Sequence, residues 1–259
     1  MPNEKEISNL KIRKKKPSHI LPEIKKLNLS EDIDEFYLVL AVIFNDLRGI
    51  IAFYRFVEQH RKPEVGEVSS HAGDYNALRV QLLKILISYF NEVTLFLRKN
   101  EDMLKHDKIM THIRALNESD QYVLKKLYAL AEIQSEVDLT EEGKKFVEFF
   151  LKVRNNAGYH YYQSGQNLTA GFRYHFFEID NTTNLQNKFA YYSYRRSEFD
   201  AIRYYYADAA VDGYIAKCAL EVGLGSIEKV IKLIFEYTVE TSRVISRLLE
   251  SYLDEKPNV

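Results

Sequence analysis

No proline interrupts the chain between Pro63 and Pro257, and this constrains the fold more than any other feature of the sequence. Proline removes a backbone hydrogen-bond donor and clashes with the preceding helical turn, so a long stretch without it can carry uninterrupted helices. Within this stretch apolar residues recur at three- and four-residue spacing, which is the period of one face of an α-helix. We therefore predict an all-α protein built as a helical bundle.

Capping residues and glycines divide the chain into predicted helices. Ser and Thr side chains accept hydrogen bonds at a helix start, and glycine commonly follows a helix end. Ser30 is the expected cap of the first helix, whose polar stripe is so narrow that most of its circumference should be buried. The first four predicted helices are about 31–60, 74–99, 107–116 and 119–135. A fifth, capped by Thr140, ends close to Gly158, and a sixth runs from the Ser197 cap to Glu221. After breaks at Gly223 and Gly225, Ser226 caps the last predicted helix.

The period of the apolar residues changes once, at about 171–195. Phe172, Tyr174, Phe176 and Glu178 alternate with Arg173, His175, Phe177 and Ile179, which suits a strand better than a helix. A turn-forming cluster follows at 181–184, and an aromatic-rich segment comes after it. We predict one inserted β-hairpin here. Its aromatic side chains suit either base binding or packing over the helices, and we favour packing.

The chain divides into a predicted flexible basic arm, residues 1–28, and a single helical domain, residues 29–256. The arm suits binding to RNA or another partner, although a solvated tail is the simpler interpretation. In 259 residues, a hydrophobic content of 46 % is enough for one sizeable core. The formal net charge of −1 gives the molecule no strong overall field, so any binding to nucleic acid must depend on a local basic patch.

Several classes of protein lose their support in this sequence. Cys218 is the only cysteine, which excludes an intrachain disulfide framework and a cysteine-based zinc site within one chain. The longest apolar run, 36–44, is too short to cross a bilayer, and no apolar segment follows the basic start as in a signal peptide. No phosphate-binding loop, metalloprotease motif or acidic metal cluster is present. We expect a cytoplasmic protein without a membrane segment, a bound metal or another cofactor.

The segment at 149–162, Phe-Phe-Leu-Lys-Val-Arg-Asn-Asn-Ala-Gly-Tyr-His-Tyr-Tyr, holds groups suited to chemistry on a phosphodiester. Arg154 projects from a mostly apolar helical arc, where its guanidinium needs a partner. A histidine moves protons near neutral pH, an arginine stabilises charge on phosphoryl oxygens, and an asparagine can orient either group. With RNA, the neighbouring 2′-hydroxyl can act as nucleophile, so no metal is required. Three aromatic residues could stack on splayed bases: Tyr159, Tyr161 and Tyr162.

Arg154 and His160 would diverge by about 120° on a straight helix, because they are six residues apart. Gly158 can bend or end the helix and so change this geometry. Alternatively, two copies of the segment face each other across a dimer axis, with each histidine beside the arginine of the partner. Both arrangements stay open at this point.

The set Arg154, Asn155 and His160, at the end of an amphipathic helix and followed by Tyr-Tyr, resembles the motif of HEPN proteins. These are all-α domains, usually dimeric, whose active members are metal-independent RNA endonucleases of toxin–antitoxin and antiphage defence systems. The resemblance implies that His160 is the acid–base group, Arg154 the phosphate stabiliser and Asn155 an orienting group. It also implies a homodimer with a composite site, RNA as substrate, and an antitoxin or defence-complex protein as a further partner.

Other interpretations stay open beside this one. Arg55 and His60 have a similar spacing, and so does a pair in the basic arm, but neither pair has the asparagine, the glycine and the aromatic neighbours. His160 could cap a helix or bind a buried carbonyl, and Arg154 could belong to a structural ion pair. The alternative function is a non-catalytic interaction module, or a subunit of a defence complex that binds RNA or a nucleotide.

Overall fold

The computed structural model describes residues 31–59, 62, 64, 70–133, 139–154, 165–174 and 205–256. Over these residues the protein is all-α, as predicted, with nine helices and no strand. The helices are α1 Asp32–Glu58, α2 Ser70–Lys99, α3 Glu101–Leu104, α4 Asp107–Ala115, α5 Glu118–Leu130, α6 Glu141–Arg154, α7 Gly165–Arg173, α8 Tyr205–Glu221 and α9 Ile227–Glu255. The predicted arm, residues 1–28, lies outside the described residues.

The start of α1 is tied to the end of α9 through a buried carboxylate. The N-cap of α1 is Glu31 rather than the predicted Ser30, and its backbone N–H donates to Asp34 Oδ2 at 3.1 Å. The other oxygen of Asp34 accepts the hydroxyl of Tyr252 at 2.6 Å and is paired with Lys256. One aspartate therefore satisfies a backbone N–H at the start of α1 and joins this start to the end of α9.

Helices α1 and α9 pack antiparallel along their length. Tyr37, near the start of α1, stacks on Tyr252 near the end of α9 with ring centroids 4.2 Å apart. Tyr54, near the end of α1, stacks on Phe235 near the start of α9 at 3.8 Å. These two stacked pairs fix the register in which side chains of α1 meet side chains of α9.

Helix α6 is held in the core by its aromatic face. The ring of Phe150 meets Phe90 of α2 edge-on, with 5.6 Å between centroids, and the ring of Phe146 stacks on Tyr237 of α9 at 4.0 Å. The apolar residues that recur at helical spacing along this helix are all buried: Phe146, Phe149, Phe150 and Val153. This packing fixes the position of the last turn of α6, which carries Arg154.

The prediction that most of the circumference of α1 is buried is wrong. Helices α2 and α9 pack against one side of α1, whereas large apolar side chains on its opposite side are exposed: Leu38, Val39, Val42 and Phe56. By length and composition alone, α1 and the part of α2 at Asp74–Lys99 could each cross a membrane. A core helix of a soluble protein meets the same criterion, so this finding does not place the protein in a membrane.

The predicted β-hairpin does not begin where expected. Residues 171–173 belong to α7, which packs against α8, and the remainder of the predicted hairpin from 175 onwards lies outside the described residues. A Cβ atom at Gly171 would overlap the carbonyl oxygen of Ala210 and would lie 2.7 Å from Cβ of Tyr214. Because Gly171 has no side chain, α7 can pack closely on α8. The alternation of residue types predicted a strand here and did not indicate this helix contact.

Candidate functional site

Arg154 is the last residue of α6, and its side chain is only 14 % exposed. Its Nη2 donates to Oε2 of Glu132 at 2.9 Å. The same oxygen accepts a hydrogen bond from Nη1 of Arg98 at 3.0 Å. A structural ion pair, one of the two interpretations of Arg154 from the sequence, is therefore present.

Three separate elements bring this cluster together. Arg98 lies in the last turn of α2, Glu132 lies in the turn that follows α5, and Arg154 ends α6. Two guanidinium groups share one carboxylate, so the cluster keeps one formal positive charge. A surplus positive charge beside a partly exposed carboxylate is a suitable environment for an incoming phosphate oxygen.

Glu132 adopts an unusual backbone conformation in this cluster. Its φ of +58° is in the left-handed region, and the next amide, that of Ile133, donates to the carbonyl of Tyr128 at 3.0 Å to close α5. This turn ends α5 at Leu130, so the prediction that the helix reaches about 135 is wrong. The left-handed conformation costs a non-glycine residue roughly 1–2 kcal/mol. We attribute the presence of a glutamate in this conformation to the ion pairs that its side chain forms with Arg98 and Arg154.

The last turn of α6 is also fixed from the side of α8. The hydroxyl of Tyr214 donates to the backbone carbonyl of Lys152 at 3.3 Å. The ammonium group of Lys152 lies 3.0 Å from Glu148 and 4.0 Å from Glu221, and these carboxylates raise the pKa of Lys152. Lys152 is therefore held as a cation within its own helix and towards α8, on the side of α6 roughly opposite Arg154.

The remaining predicted site residues cannot be placed beside Arg154. Asn155 and His160, with the aromatic candidates Tyr159, Tyr161 and Tyr162, lie outside the described residues. The structure therefore gives the position and partners of Arg154 alone. The convergence of Arg154 with His160, within one chain or across a dimer, stays a prediction.

A second group of cations, which sequence reasoning did not single out, lies between α1 and α9. Arg48 and Arg55 of α1 face Ser242, Arg243 and Ser246 of α9 across a groove of about 410 Å³. The sequence signal is weak, because it consists only of two arginines seven residues apart on one helix. The antiparallel register of α1 and α9, which is a property of the tertiary structure, brings the two halves together.

Metal ligands do not cluster in the part of the chain that the structure describes. Within that part, no group of three or more His, Cys, Asp or Glu side chains is arranged to hold a metal ion. Two carboxylates at the arginine clusters are instead bound to guanidinium groups, Glu132 to that of Arg154 and Asp120 to that of Arg243. The chemistry open to these clusters is anion binding and charge stabilisation.

Comparison with family models, with curated proteins and with solved structures finds no match to this chain. The interpretation of its function therefore depends on its own residues and on the contacts described above.

Proposed function

We propose that this protein is a metal-independent RNA endonuclease of the HEPN type, which acts in the cytoplasm as a homodimer in toxin–antitoxin or antiphage defence. The observation that supports this most is the placement of Arg154, at the end of the amphipathic helix α6, in a cluster with surplus positive charge. Its sequence neighbours Asn155 and His160 supply an orienting group and a proton-transfer group.

In this proposal a backbone phosphate of RNA is bound beside Arg154. The guanidinium stabilises the charge that develops on the phosphoryl oxygens, and Arg98 adds to the local positive potential. His160 accepts the proton of the 2′-hydroxyl as its oxygen attacks phosphorus. The bond from phosphorus to the 5′-oxygen breaks, and a protonated group donates to the departing oxygen. The products are a 2′,3′-cyclic phosphate and a 5′-hydroxyl.

A homodimer would supply two such segments. Six residues separate Arg154 from His160, so the two side chains diverge on a straight helix and converge more easily between chains. In the composite site, His160 of one protomer works with Arg154 of its partner. A second histidine is then available to protonate the leaving oxygen while the first accepts the proton of the nucleophile.

The second candidate function is a non-catalytic subunit that binds RNA or a nucleotide. Two observations favour it: Arg154 is already engaged by Glu132, and the groove between α1 and α9 presents arginines at a different place in the fold. Under this alternative Arg154 stabilises the contact between the ends of α2, α5 and α6. The protein would then bind its ligand without cutting it.

The test is incubation of purified full-length protein with a panel of RNAs in EDTA. We expect the wild type to cleave RNA, and Arg154→Ala and His160→Ala each to lose at least about 100-fold in rate, as for loss of a proton-transfer or charge-stabilising group. The control is Arg114→Ala, which removes an exposed arginine of α4. Circular dichroism checks that every variant is folded. A wild type that binds RNA without cleaving any of it would support the second candidate.

A further inference from the structure

The groove between α1 and α9 is lined by basic and apolar side chains. We call it the arginine groove and define it by Arg48, Arg55, Ser242, Arg243 and Ser246. Among the described residues that line it, none is acidic. The apolar part of the lining is formed by Phe44, Ile51 and Val239.

The arginines are spread along the groove rather than gathered at one point. Arg48 and Arg55 are seven residues apart on α1, which is about 10 Å along the helix axis. On α9, Ser242, Arg243 and Ser246 lie along the opposite wall of the groove at helical spacing. An anion that contacts both ends must therefore be longer than one phosphate group.

The positive charges of the groove are only partly compensated by nearby carboxylates. In the part of the chain that the structure describes, neither Arg48 nor Arg55 forms an ion pair. Arg243 and Arg247 both bind Asp120, each through Nε at 2.8 Å, to opposite oxygens of this one buried carboxylate. A second carboxylate, that of Glu250, accepts the hydroxyl of the lining residue Ser246 at 3.1 Å. The four guanidinium groups thus outnumber the two carboxylates at the groove.

Asp120 also gives the α9 wall of the groove a fixed geometry. Its backbone N–H donates to the side chain of Asn117 at 2.9 Å, and its Oδ2 accepts the amide of Asn117 at 2.9 Å. Because Arg243 binds Asp120 through Nε, the outer nitrogen atoms of its guanidinium stay available for another acceptor. A positioned guanidinium loses less side-chain entropy when it binds an anion.

We propose that the arginine groove is a binding site for a ligand that carries two or more phosphate groups in series. Guanidinium groups bind phosphate oxygens through paired, charge-assisted hydrogen bonds, and the hydroxyl of Ser242 adds a neutral donor, whereas that of Ser246 donates to Glu250 at 3.1 Å. A polyphosphate chain of a nucleotide and the phosphodiester backbone of a nucleic acid share this chemistry. Binding here is independent of cleavage at Arg154, so the two proposals can fail separately.

The experiment measures binding of four probes to the full chain by titration calorimetry. The probes are inorganic phosphate, tripolyphosphate, ATP and a 2′-O-methyl oligouridylate, which has no free 2′-hydroxyl and so resists cleavage by attack of that group. We expect tripolyphosphate to bind more tightly than phosphate. Comparison of ATP with the oligonucleotide then shows which source of phosphate groups the groove prefers.

The variants are Arg48→Ala with Arg55→Ala, the charge-conserving Arg48→Lys with Arg55→Lys, and the control Arg114→Ala. The double alanine variant should weaken binding by about tenfold for each arginine removed. For the oligonucleotide, it should also reduce the slope of log K against log salt by about 1.4. The lysine variant should keep most of the salt dependence while losing affinity. Thermal unfolding checks the fold, which should be retained because Arg48 and Arg55 are exposed.

Three results would overturn the proposal. The first is the absence of binding to tripolyphosphate, ATP and the oligonucleotide alike. The second is equal affinity of the double alanine variant and the Arg114→Ala control. The third is an affinity for tripolyphosphate that is no higher than the affinity for inorganic phosphate.

Discussion

Arg154 and Glu132 form an ion pair, with 2.9 Å between Nη2 and Oε2, at the point where the end of α6 meets the turn after α5. Since Arg98 binds the same oxygen, neither arginine has a carboxylate to itself. Ion pairs with partly exposed partners contribute roughly 0–1 kcal/mol. A phosphate oxygen can therefore compete with Glu132 for Arg154 at small cost.

The shared carboxylate leads to a first prediction, made with Glu132→Gln. Removal of this negative charge should raise affinity for RNA about two- to fivefold, because a surface ion pair of this strength no longer competes with phosphate. Affinity is measured with the 2′-O-methyl oligouridylate. The control is Glu92→Gln, which removes an exposed carboxylate in the middle of α2. Unchanged or weaker binding in Glu132→Gln alone would mean that Arg154 does not contact the backbone.

The contact of α7 with α8 leads to a second prediction. Gly171→Ala should destabilise the protein by about 1–3 kcal/mol, because the added methyl group overlaps the backbone of α8 at Ala210. Gly49→Ala, in an open position on α1, should instead stabilise it by about 0.5–1 kcal/mol through its helix propensity. Urea unfolding of both variants measures the difference. Equal effects would show that α7 does not dock on α8 as described.

The local sequence was sufficient to predict several helix boundaries. Thr140 Oγ1 accepts the N–H of Gly143 at 3.2 Å, and Ser226 Oγ accepts the N–H of Lys229 at 3.3 Å, as expected of caps. Gly223 and Gly225, predicted to break the chain before α9, have φ values of 73° and 93°. These features depend on a few adjacent residues, so periodicity and capping rules suffice for them. The apolar side chains that recur at helical spacing along α9 are buried, from Val230 to Tyr252, as the periodicity indicates.

The errors on the exposed side of α1 and on the hairpin concern contacts between distant parts of the chain. Hydropathy marks Leu38 and Phe56 as apolar, but it does not tell whether another helix covers them. The alternation at Phe172 suits a strand, yet the docking of Gly171 on α8 favours a helix. For the site, the sequence singled out Arg154 but not its partner Glu132, which is 22 residues away and lies beyond the end of α5. The arginine groove likewise arises from the pairing of α1 with α9.

Asp212 of α8 leads to a third prediction, on pH dependence. Burial raises the pKa of Asp212 from 3.8 to about 6, against a lowering effect of Arg79. Because the folded-state pKa is higher, the contribution of this group to stability is fully present below pH 3.8 and is lost as the pH rises through 6.

We therefore expect Asp212→Asn to gain stability over the wild type between pH 4 and pH 7, by about 1–3 kcal/mol at most. Urea unfolding at several pH values measures this gain. The control is Asp102→Asn, whose carboxylate is fully exposed and should show no such trend. A constant difference between Asp212→Asn and wild type across this range would contradict the assignment.

The chemistry at the ends of the RNA products tests the central claim most directly, because the proposed reaction uses the 2′-hydroxyl of the substrate and His160 rather than a metal. The measurement is mass spectrometry of products formed in EDTA from an RNA and from the same RNA with a single 2′-deoxynucleotide at the cut site. We predict a 2′,3′-cyclic phosphate from the first substrate and no cleavage at the modified position in the second. Products that end in a 3′-hydroxyl, cleavage that requires a divalent cation, or cutting at the deoxynucleotide would contradict the account.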